Sequence, residues 1–179
     1  MGNSMKDTFI HQYESQVAHA PLPLQLAETY SISSIIKDTT DKKVYLLKDQ
    51  RNQPFILKCC SSMYAGALRQ EYDFLTHHTN MDCFPDAVTL FEESDMCFLL
   101  RDYIKGPLLG EHSEHLYAQY THFRDFENAL LPYMMECCQI ISILHHEKPP
   151  MIHRDIKPEN FVWEESSQML VLIDIDAGR

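Results

Sequence analysis

The amino-acid sequence predicts an α+β fold, with a strand-rich first half followed by a mainly helical second half. Between residues 31 and 60, short runs rich in Ile, Val, Tyr, Phe and Leu alternate with the turn-prone segments 38–41 and 49–53. After Gly106 the apolar residues instead recur at three- and four-residue steps, which is typical of amphipathic helices. We therefore expect an antiparallel sheet first and a group of helices after it.

The first half contains five candidate strands and one candidate helix. Tyr64, Leu68, Tyr72 and Leu75 share one face of a helix over residues 64–78. The predicted strands are 31–37, 43–48, 54–60, 87–92 and 96–101. Ahead of them, residues 1–29 form a candidate N-terminal arm, with a short helix at 9–18 and a Pro-Leu-Pro break at 21–23.

The second half contains two candidate helices and a terminal hairpin. The shorter helix is predicted at 113–121 and the longer one at 126–146, where the segment Lys148-Pro-Pro150 ends it. For the longer helix we expect only a role in core packing. Two short apolar runs, 161–163 and 169–173, flank a polar turn and predict a β-hairpin.

Composition excludes several classes of function. The chain has 179 residues, 45% of them hydrophobic, and a formal charge of −11. An acidic balance disfavours nucleic acid as a partner, because affinity for a phosphate backbone comes from clustered Lys and Arg. The longest apolar stretch, near residues 130–144, is interrupted by polar residues, so no membrane span is expected. The N-terminus lacks a signal-peptide pattern, which predicts a cytoplasmic protein.

The six cysteines do not form a ligand pattern. Two adjacent pairs occur, at 59–60 and 137–138, without the Cys-x-x-Cys spacing of zinc sites. Because both pairs lie in apolar segments, we expect buried, reduced thiols, which fit a reducing compartment.

The strongest motif is Ile152-His-Arg-Asp-Ile-Lys-Pro-Glu-Asn160, in which Asn follows Asp by five residues. This segment resembles the catalytic loop of the protein kinase superfamily. The alternative is a surface loop that reproduces six matching residues by chance. The resemblance implies that Asp155 orients the substrate hydroxyl and accepts its proton, and that Asn160 binds Mg²⁺. Lys157, two residues past Asp155, is what serine/threonine kinases carry there, so it is a second candidate catalytic residue.

A second candidate metal ligand follows the last apolar run. Asp174 stands fourteen residues beyond Asn160, where kinases place the Asp of their Asp-Phe-Gly motif. Here the tripeptide is Asp174-Ile-Asp176, so Ile175 supplies the apolar side chain and an acid replaces the glycine. The alternative is that the two acids are turn residues after a strand.

The resemblance also implies a nucleotide site in the first half. Lys58, in the third predicted strand, matches the lysine that holds the phosphates of ATP, and Glu71 on the following helix is its expected partner. Rivals are a Lys58–Glu92 pair and a solvent-exposed Lys58. At the expected hinge, the backbone groups of Asp102 and Ile104 are candidates to bind the adenine ring.

The phosphate-covering loop departs from the family pattern. Its three glycines would fall near Lys37, Thr39 and Lys42, but no glycine occurs between Gly2 and Gly66. Glycines let backbone amides approach phosphates closely, so their absence weakens the expectation of tight ATP binding. Three lysines lie near this turn, at 37, 42 and 43, and either supply charge to the phosphates or form a solvated surface.

The resemblance covers residues 30–179 and implies a kinase-like small lobe at 30–104 and part of a large lobe at 105–179. Two hypotheses follow: a Ser/Thr protein kinase that uses ATP and Mg²⁺, or a kinase-like nucleotide-binding or protein-interaction module without turnover. A small-molecule phosphotransferase is disfavoured by Lys157 and Pro158. Because the resemblance ends soon after Asp174, we expect an incomplete large lobe with an apolar surface that self-association, a partner protein or the N-terminal arm covers.

Overall fold

The computed structural model describes residues 22–40 and 42–175. The predicted helix at 9–18 and the acidic residue Asp176 lie outside these ranges. The described chain divides into two compact units. The first unit contains the described residues up to Leu68 together with Val88–Tyr103, and the second contains Arg69–Ala87 and the described residues from Ile104 onward.

The first unit is built on a five-stranded sheet with the strand order β1-β2-β3-β5-β4. The pairs β1–β2, β2–β3 and β3–β5 are antiparallel. The strands are β1 (Tyr30–Asp38), β2 (Lys42–Asp49), β3 (Pro54–Ser61), β4 (Ala87–Glu93) and β5 (Met96–Asp102). All five strands predicted from the sequence are therefore confirmed, each within two residues of its expected ends.

One face of this sheet carries an apolar cluster. Leu47, Leu57 and Leu100 are fully buried there, with aromatic rings such as Phe55 and Tyr30 against them. The cluster also includes Leu26, which lies on a single helical turn, α1 (Leu24–Ala27), that sequence periodicity did not indicate. A four-residue turn is too short to show a period of 3.6 residues.

The opposite face of the sheet carries two buried cations. Residues alternate between faces along a strand, so Lys58 shares a face with Ile56, as the sequence predicted. Directly opposite them on β5 stand Leu99 and Arg101. Lys58 is 3% exposed and Arg101 is 4% exposed.

The second unit contains three helices and a two-stranded hairpin. Helix α2 (Ala65–His77) crosses the boundary between the units after Leu68. The other elements are α3 (Leu109–Tyr117), α4 (Phe123–His146), β6 (Phe161–Glu164) and β7 (Met169–Leu172). Among the described residues no helix combines the length and the hydropathy that a bilayer crossing requires.

The core of the second unit packs the C-terminal half of α4 against the hairpin. Ile140, Ile141 and Leu144 face Phe161 and Leu170 in one apolar cluster, whose members are all less than a tenth exposed. The N-terminal half of α4 is mostly exposed, including Leu131 and the two methionines that follow Tyr133. Helix α4 therefore buries its apolar residues along only part of its length.

Three sequence-based helix boundaries were wrong, one of them the start of α4, which begins at Phe123 rather than at residue 126. Helix α3 begins at Leu109, four residues before the predicted start, because Glu111 accepts a hydrogen bond from the backbone N of Leu108 (3.0 Å) and caps the helix there. It ends at Tyr117, so the predicted extension to Thr121 is not helical. The expectation of buried thiols holds for Cys137 and fails for its neighbour Cys138, which is exposed.

The backbone of residues 106–108 runs beside β6. Trp163 N donates to the carbonyl oxygen of Pro107 (2.9 Å), and Leu108 forms an isolated bridge with Val162. At Gly106, an added Cβ would collide with the carbonyl oxygen of Trp163 and would lie 3.2 Å from Cγ1 of Val162. The absence of a side chain at this position is therefore required for the close approach.

We expect Gly106→Ala to lower the free energy of unfolding by about 1–3 kcal/mol, because the new methyl group meets backbone atoms that cannot rotate away. Gly66→Ala is the matched control, since nothing lies within 4 Å of a Cβ there. Because alanine favours helix, the control should be neutral or more stable by up to about 1 kcal/mol. Chemical denaturation followed by circular dichroism measures both variants. Equal midpoints for the two would contradict the close approach.

Candidate active site

The candidate site is the loop between α4 and β6, residues 147–160, together with the residues that follow β7. The loop begins at a polar contact between Nε2 of His78 and Oε1 of Glu147 (3.2 Å). Met151 N then donates to the carbonyl oxygen of Leu144 on α4 (3.0 Å). At its far end, a 3-10 turn over Pro158–Asn160 leads directly into β6. Both ends of the loop are thus fixed to the core of the second unit.

His153 ties the loop to the segment after β7. Its ring is 2% exposed, and Nε2 lies 2.5 Å from the backbone oxygen of Asp174. The backbone N of Asp155 donates to the other ring nitrogen, Nδ1 (3.3 Å). A neutral ring with its proton on Nε2 satisfies both contacts, because Nε2 then donates and Nδ1 accepts. One imidazole therefore positions Asp155 and Asp174 together.

Arg154 gives the loop its sharp turn. Its φ of 60° lies in the left-handed region, which a non-glycine residue adopts at some cost in energy. This turn separates the buried ring of His153 from the exposed carboxylate of Asp155. Arg154 thus lies between His153, which anchors the loop, and Asp155, whose carboxylate the loop exposes.

Asn160 holds the carboxyl end of the loop. It is 5% exposed, and its Nδ2 donates to the backbone oxygen of Asp155 at 2.7 Å. The same Nδ2 lies 3.5 Å from Oδ2 of that aspartate. The backbone carbonyl oxygen of Asn160 accepts a hydrogen bond from Ile173 N (2.8 Å), and Ile173 directly precedes Asp174. Asn160 is therefore bound both to the loop and to the segment after β7.

Lys157 and Asp155 form a close ion pair, with Nζ 2.7 Å from Oδ2. Both side chains are about half exposed, at 46% and 59%. The hydrogen bond from Lys157 lowers the pKa of the Asp155 carboxyl and, reciprocally, raises the pKa of the lysine ammonium. Asp155 is consequently ionised throughout the neutral range.

Asp174 and Ile175 lie where the sequence predicted. Ile175 is 1% exposed and belongs to the core cluster of the second unit, so it supplies the apolar packing expected of it. Asp174 is half-buried, and its charge contributes to the raised pKa of the Lys157 ammonium. The hydrogen bonds through His153 and Asn160 hold Asp174 in the same group as Asp155.

The oxygen donors of this group fit a hard cation such as Mg²⁺. The Nδ2 atom of Asn160 is committed to Asp155, which leaves its amide oxygen as the ligand atom. Asp174 offers a carboxylate, so the donor set is all oxygen and carries a negative charge. No three side chains of His, Cys, Asp or Glu cluster as metal ligands within the described ranges, so Asn160 would be part of the ligand set here.

The predicted nucleotide-binding residues divide between the two units. Lys58 and Asp102 belong to the first unit, and Glu71 and Ile104 belong to the second. Lys58 is buried on β3 and Glu71 is fully buried on α2, so the rival interpretation of a solvent-exposed Lys58 is wrong. The pairing of Lys58 with Glu71 stays a prediction, as do the adenine contacts of Asp102 and Ile104.

Thr39 closes the glycine-free turn between β1 and β2. Its Oγ1 donates to the carbonyl oxygen of Lys42 (2.8 Å), and the backbone N of the same threonine also donates to that oxygen (3.1 Å). Beside the turn, Nζ of Lys43 lies 3.3 Å from Oδ1 of Asp38, which raises the pKa of the lysine. Hydrogen bonds from Thr39 therefore stabilise the turn between β1 and β2, which contains no glycine.

Sequence reasoning missed two residues that support this region. Glu136, in the middle of α4, accepts from Leu170 N at 2.8 Å and attaches the helix to β7. The signal was a lone acid on an otherwise apolar helix face. Arg101 is buried at the end of β5, where its Nη1 donates to the carbonyl oxygen of Asp102 (3.0 Å). Here the signal was the alternation that places it on the same face as Leu99.

Comparisons with known proteins find relatives at low sequence identity. No protein-family model matches the chain. The chain is 26% identical over 132 residues to "Serine/threonine-protein kinase B" of Synechocystis sp., an alignment that covers 73% of this chain and 21% of the relative. It is 27% identical over 184 residues to a "Probable serine/threonine-protein kinase" of Dictyostelium discoideum, covering 99% of this chain and 15% of that relative.

The fold is also shared with a solved structure described as "PpkA-294 apo form". The TM-score is 0.60 at 19% sequence identity, over 83% of this chain and 59% of the solved chain. At that identity the likeness establishes the fold, an α+β small lobe with part of a large lobe. The chain thus spans a small part of its curated relatives and about three-fifths of the solved chain.

We expect Asn160→Ala to lower the free energy of unfolding by about 1–3 kcal/mol, because the buried side chain loses its hydrogen bond to the backbone of Asp155. Glu159→Ala is the matched control, since that side chain is exposed in the same turn. Hydrogen exchange should also accelerate over residues 153–160 in the first variant alone. If Asn160→Ala unfolds and exchanges like the control, Asn160 does not hold the loop.

Proposed function

We propose that this chain, a member of the protein-kinase-like superfamily, transfers the γ-phosphoryl group of ATP to a serine or threonine hydroxyl of a protein. The observation that carries the proposal is the hydrogen-bonded group of Asp155, Asn160 and Asp174. These three residues supply the base and the oxygen ligands that phosphoryl transfer needs, in one rigid cluster. The serine and threonine preference rests on Lys157 and on the names of the two relatives, both of which are serine/threonine kinases.

In this proposal Asp155 orients the substrate hydroxyl and receives its proton. Both described contacts to its carboxylate, from Lys157 and from Asn160, are made to Oδ2. Oδ1 is therefore the oxygen that accepts from the hydroxyl. The ion pair with Lys157 keeps the carboxylate of Asp155 charged. The ammonium group of Lys157 would also stabilise the negative charge that develops on the phosphoryl oxygens during transfer.

ATP with Mg²⁺ would supply the phosphoryl group and the charge that neutralises it during transfer. The amide oxygen of Asn160 and the carboxylate of Asp174 would hold the metal. Lys58, supported by Glu71, would bind the phosphates, and the backbone of Asp102 and Ile104 would bind the adenine ring. Burial of Lys58 favours this role, because a buried cation is stable only beside negative charge.

A second candidate function is a kinase-like module that binds nucleotide or protein without turnover. The turn between β1 and β2 favours it, because Thr39 closes that turn with its own side chain and no glycine is present to bring backbone amides to a phosphate. The acid at 176, in place of the family glycine, favours it as well. The kinase and the nucleotide-binding form of this module share a nucleotide site and differ in whether the phosphoryl group is transferred.

We also propose a protein partner for the exposed half of α4. Leu131, Met134 and Met135 are each at least half exposed on this helix. An apolar surface of this kind is typical of an interface. A second copy of this chain, a regulatory protein or a protein substrate would cover it.

The proposed function predicts that ATP with Mg²⁺ raises the thermal midpoint of unfolding, because a ligand that binds only the folded state stabilises it. At a hundred times the dissociation constant the gain is about 2.7 kcal/mol. Labelled phosphate should then pass to a generic Ser/Thr substrate, and Asp155→Asn should reduce that rate by about 10²–10⁴-fold. Differential scanning fluorimetry and a radiolabel assay measure the two steps.

Glu159→Gln, an exposed acid of the same loop, is the control and should retain both properties. Stabilisation by nucleotide without transfer in the wild type supports the second candidate instead. No stabilisation at millimolar ATP and Mg²⁺ contradicts the kinase and the nucleotide-binding form of the second candidate, and leaves only its protein-binding form.

A further inference from the structure

Two cysteines face each other across the strands β3 and β5. Cys60 is directly opposite Cys97 in the antiparallel register, between the pairs Cys59–Phe98 and Ser61–Met96. Directly opposed residues point to the same face of a sheet. The two thiols are therefore on one face, and both are buried, with exposures of 6% and 0%.

The backbone geometry of this pair suits a disulfide bond. Opposed residues in an antiparallel ladder have Cα atoms about 4.5 or 5.5 Å apart, depending on whether the pair is hydrogen-bonded. Both values fall within the range of about 4.4–6.8 Å that disulfides adopt. Their Cβ atoms, about 4.5–5.5 Å apart, need only a small approach to reach disulfide contact. No other two cysteines in the described residues are opposed in a strand pair.

We propose that Cys60 and Cys97 form a reversible cross-strand disulfide when the protein meets a hydroperoxide, and that this bond acts as an oxidation-sensitive switch on the Lys58 face of the sheet. In the reduced protein no disulfide joins these two cysteines, as in the structure. Disulfides are rare in reducing compartments, and those that form there are usually transient and catalytic or redox-sensing.

The chemistry needs one hydroperoxide molecule for each bond. The first thiolate attacks a peroxide oxygen, an S–O bond forms while the O–O bond breaks, and one molecule of water or alcohol leaves after protonation. The sulfur of the second cysteine then displaces the hydroxyl group of the sulfenic acid, which leaves as water. The two thiols lose two electrons and two protons, and the peroxide gains them. A dithiol reductant reverses the change.

The proposed Cys60–Cys97 disulfide would affect Lys58, because the two cysteines lie next to it on the same face of the sheet. Lys58 is two residues before Cys60 on the same face, and its opposite residue, Leu99, is two residues after Cys97. A disulfide draws the two Cβ atoms closer than an ordinary ladder pair, so it alters the local twist where Lys58 projects. This part rests on the proposed nucleotide site, and oxidation should weaken ATP binding there.

The first experiment maps the bond and needs no nucleotide. The folded wild type is treated with hydrogen peroxide, remaining thiols are alkylated, and the protein is digested with trypsin. Cleavage after Lys58, Arg69 and Arg101 places Cys60 and Cys97 on different peptides, 59–69 and 70–101. We expect these peptides to be joined, with the loss of two hydrogen atoms, and to separate with dithiothreitol. Fragmentation should locate the bond at Cys60 and Cys97.

The double variant Cys59→Ser, Cys83→Ser is the matched control, because it removes the other cysteine of each peptide. It should retain the cross-link, whereas Cys60→Ser and Cys97→Ser should each lose it. Unlinked peptides in the oxidised wild type, or a bond within the 59–60 pair, overturn the proposal. The wild-type fragmentation decides this even where a variant fails to fold.

The second experiment measures the thermal shift by ATP and Mg²⁺ in reduced and oxidised wild type. We expect the shift to shrink on oxidation and to return with dithiothreitol, while Cys97→Ser is indifferent to peroxide. An equal shift in both forms overturns the switch. A reduced protein that shows no shift contradicts the proposed function and leaves the mapped bond intact, so the two failures are distinguishable.

Discussion

The hydrogen bond between the His153 ring and the backbone oxygen of Asp174 is the contact on which the candidate site depends. It joins two segments that are 21 residues apart, beside the backbone bond from Ile173 N to Asn160. Because the same ring also receives the backbone N of Asp155, one buried side chain sets the position of both acids. Two polar contacts at a buried imidazole are costly to break, since an unpaired ring nitrogen would be left out of water.

The sequence predicted much of the fold because its patterns are local. The strands of the sheet and the helix α4 follow from alternation and from three- and four-residue steps, and their ends fall where turn residues or prolines stand. Helix α1 and the start of α3 could not be predicted this way. One is a single turn that Leu26 attaches to the sheet, and the other is set by the side chain of Glu111, which acts only once the helix has formed.

The candidate site was partly predictable because its residues lie at fixed spacings in a resembling motif. The spacing of the motif predicted Asp155, Asn160 and Asp174 as site residues, and hydrogen bonds join them in one group. Spacing did not reveal that Lys157 pairs with Asp155, since that contact depends on how the chain turns at Arg154. Nor did it reveal Glu136, whose partner on β7 is 34 residues away. Contacts between distant segments appear only after folding.

The tautomer of His153 tests this account most directly. Selectively labelled protein, examined by long-range proton–nitrogen NMR correlation at mildly alkaline pH, reports which ring nitrogen carries the proton. We expect the proton on Nε2, with Nδ1 as an acceptor and a slowly exchanging Nε2 proton. A proton on Nδ1, or a ring that exchanges between tautomers as in free histidine, would show that His153 does not hold Asp155 and Asp174 together.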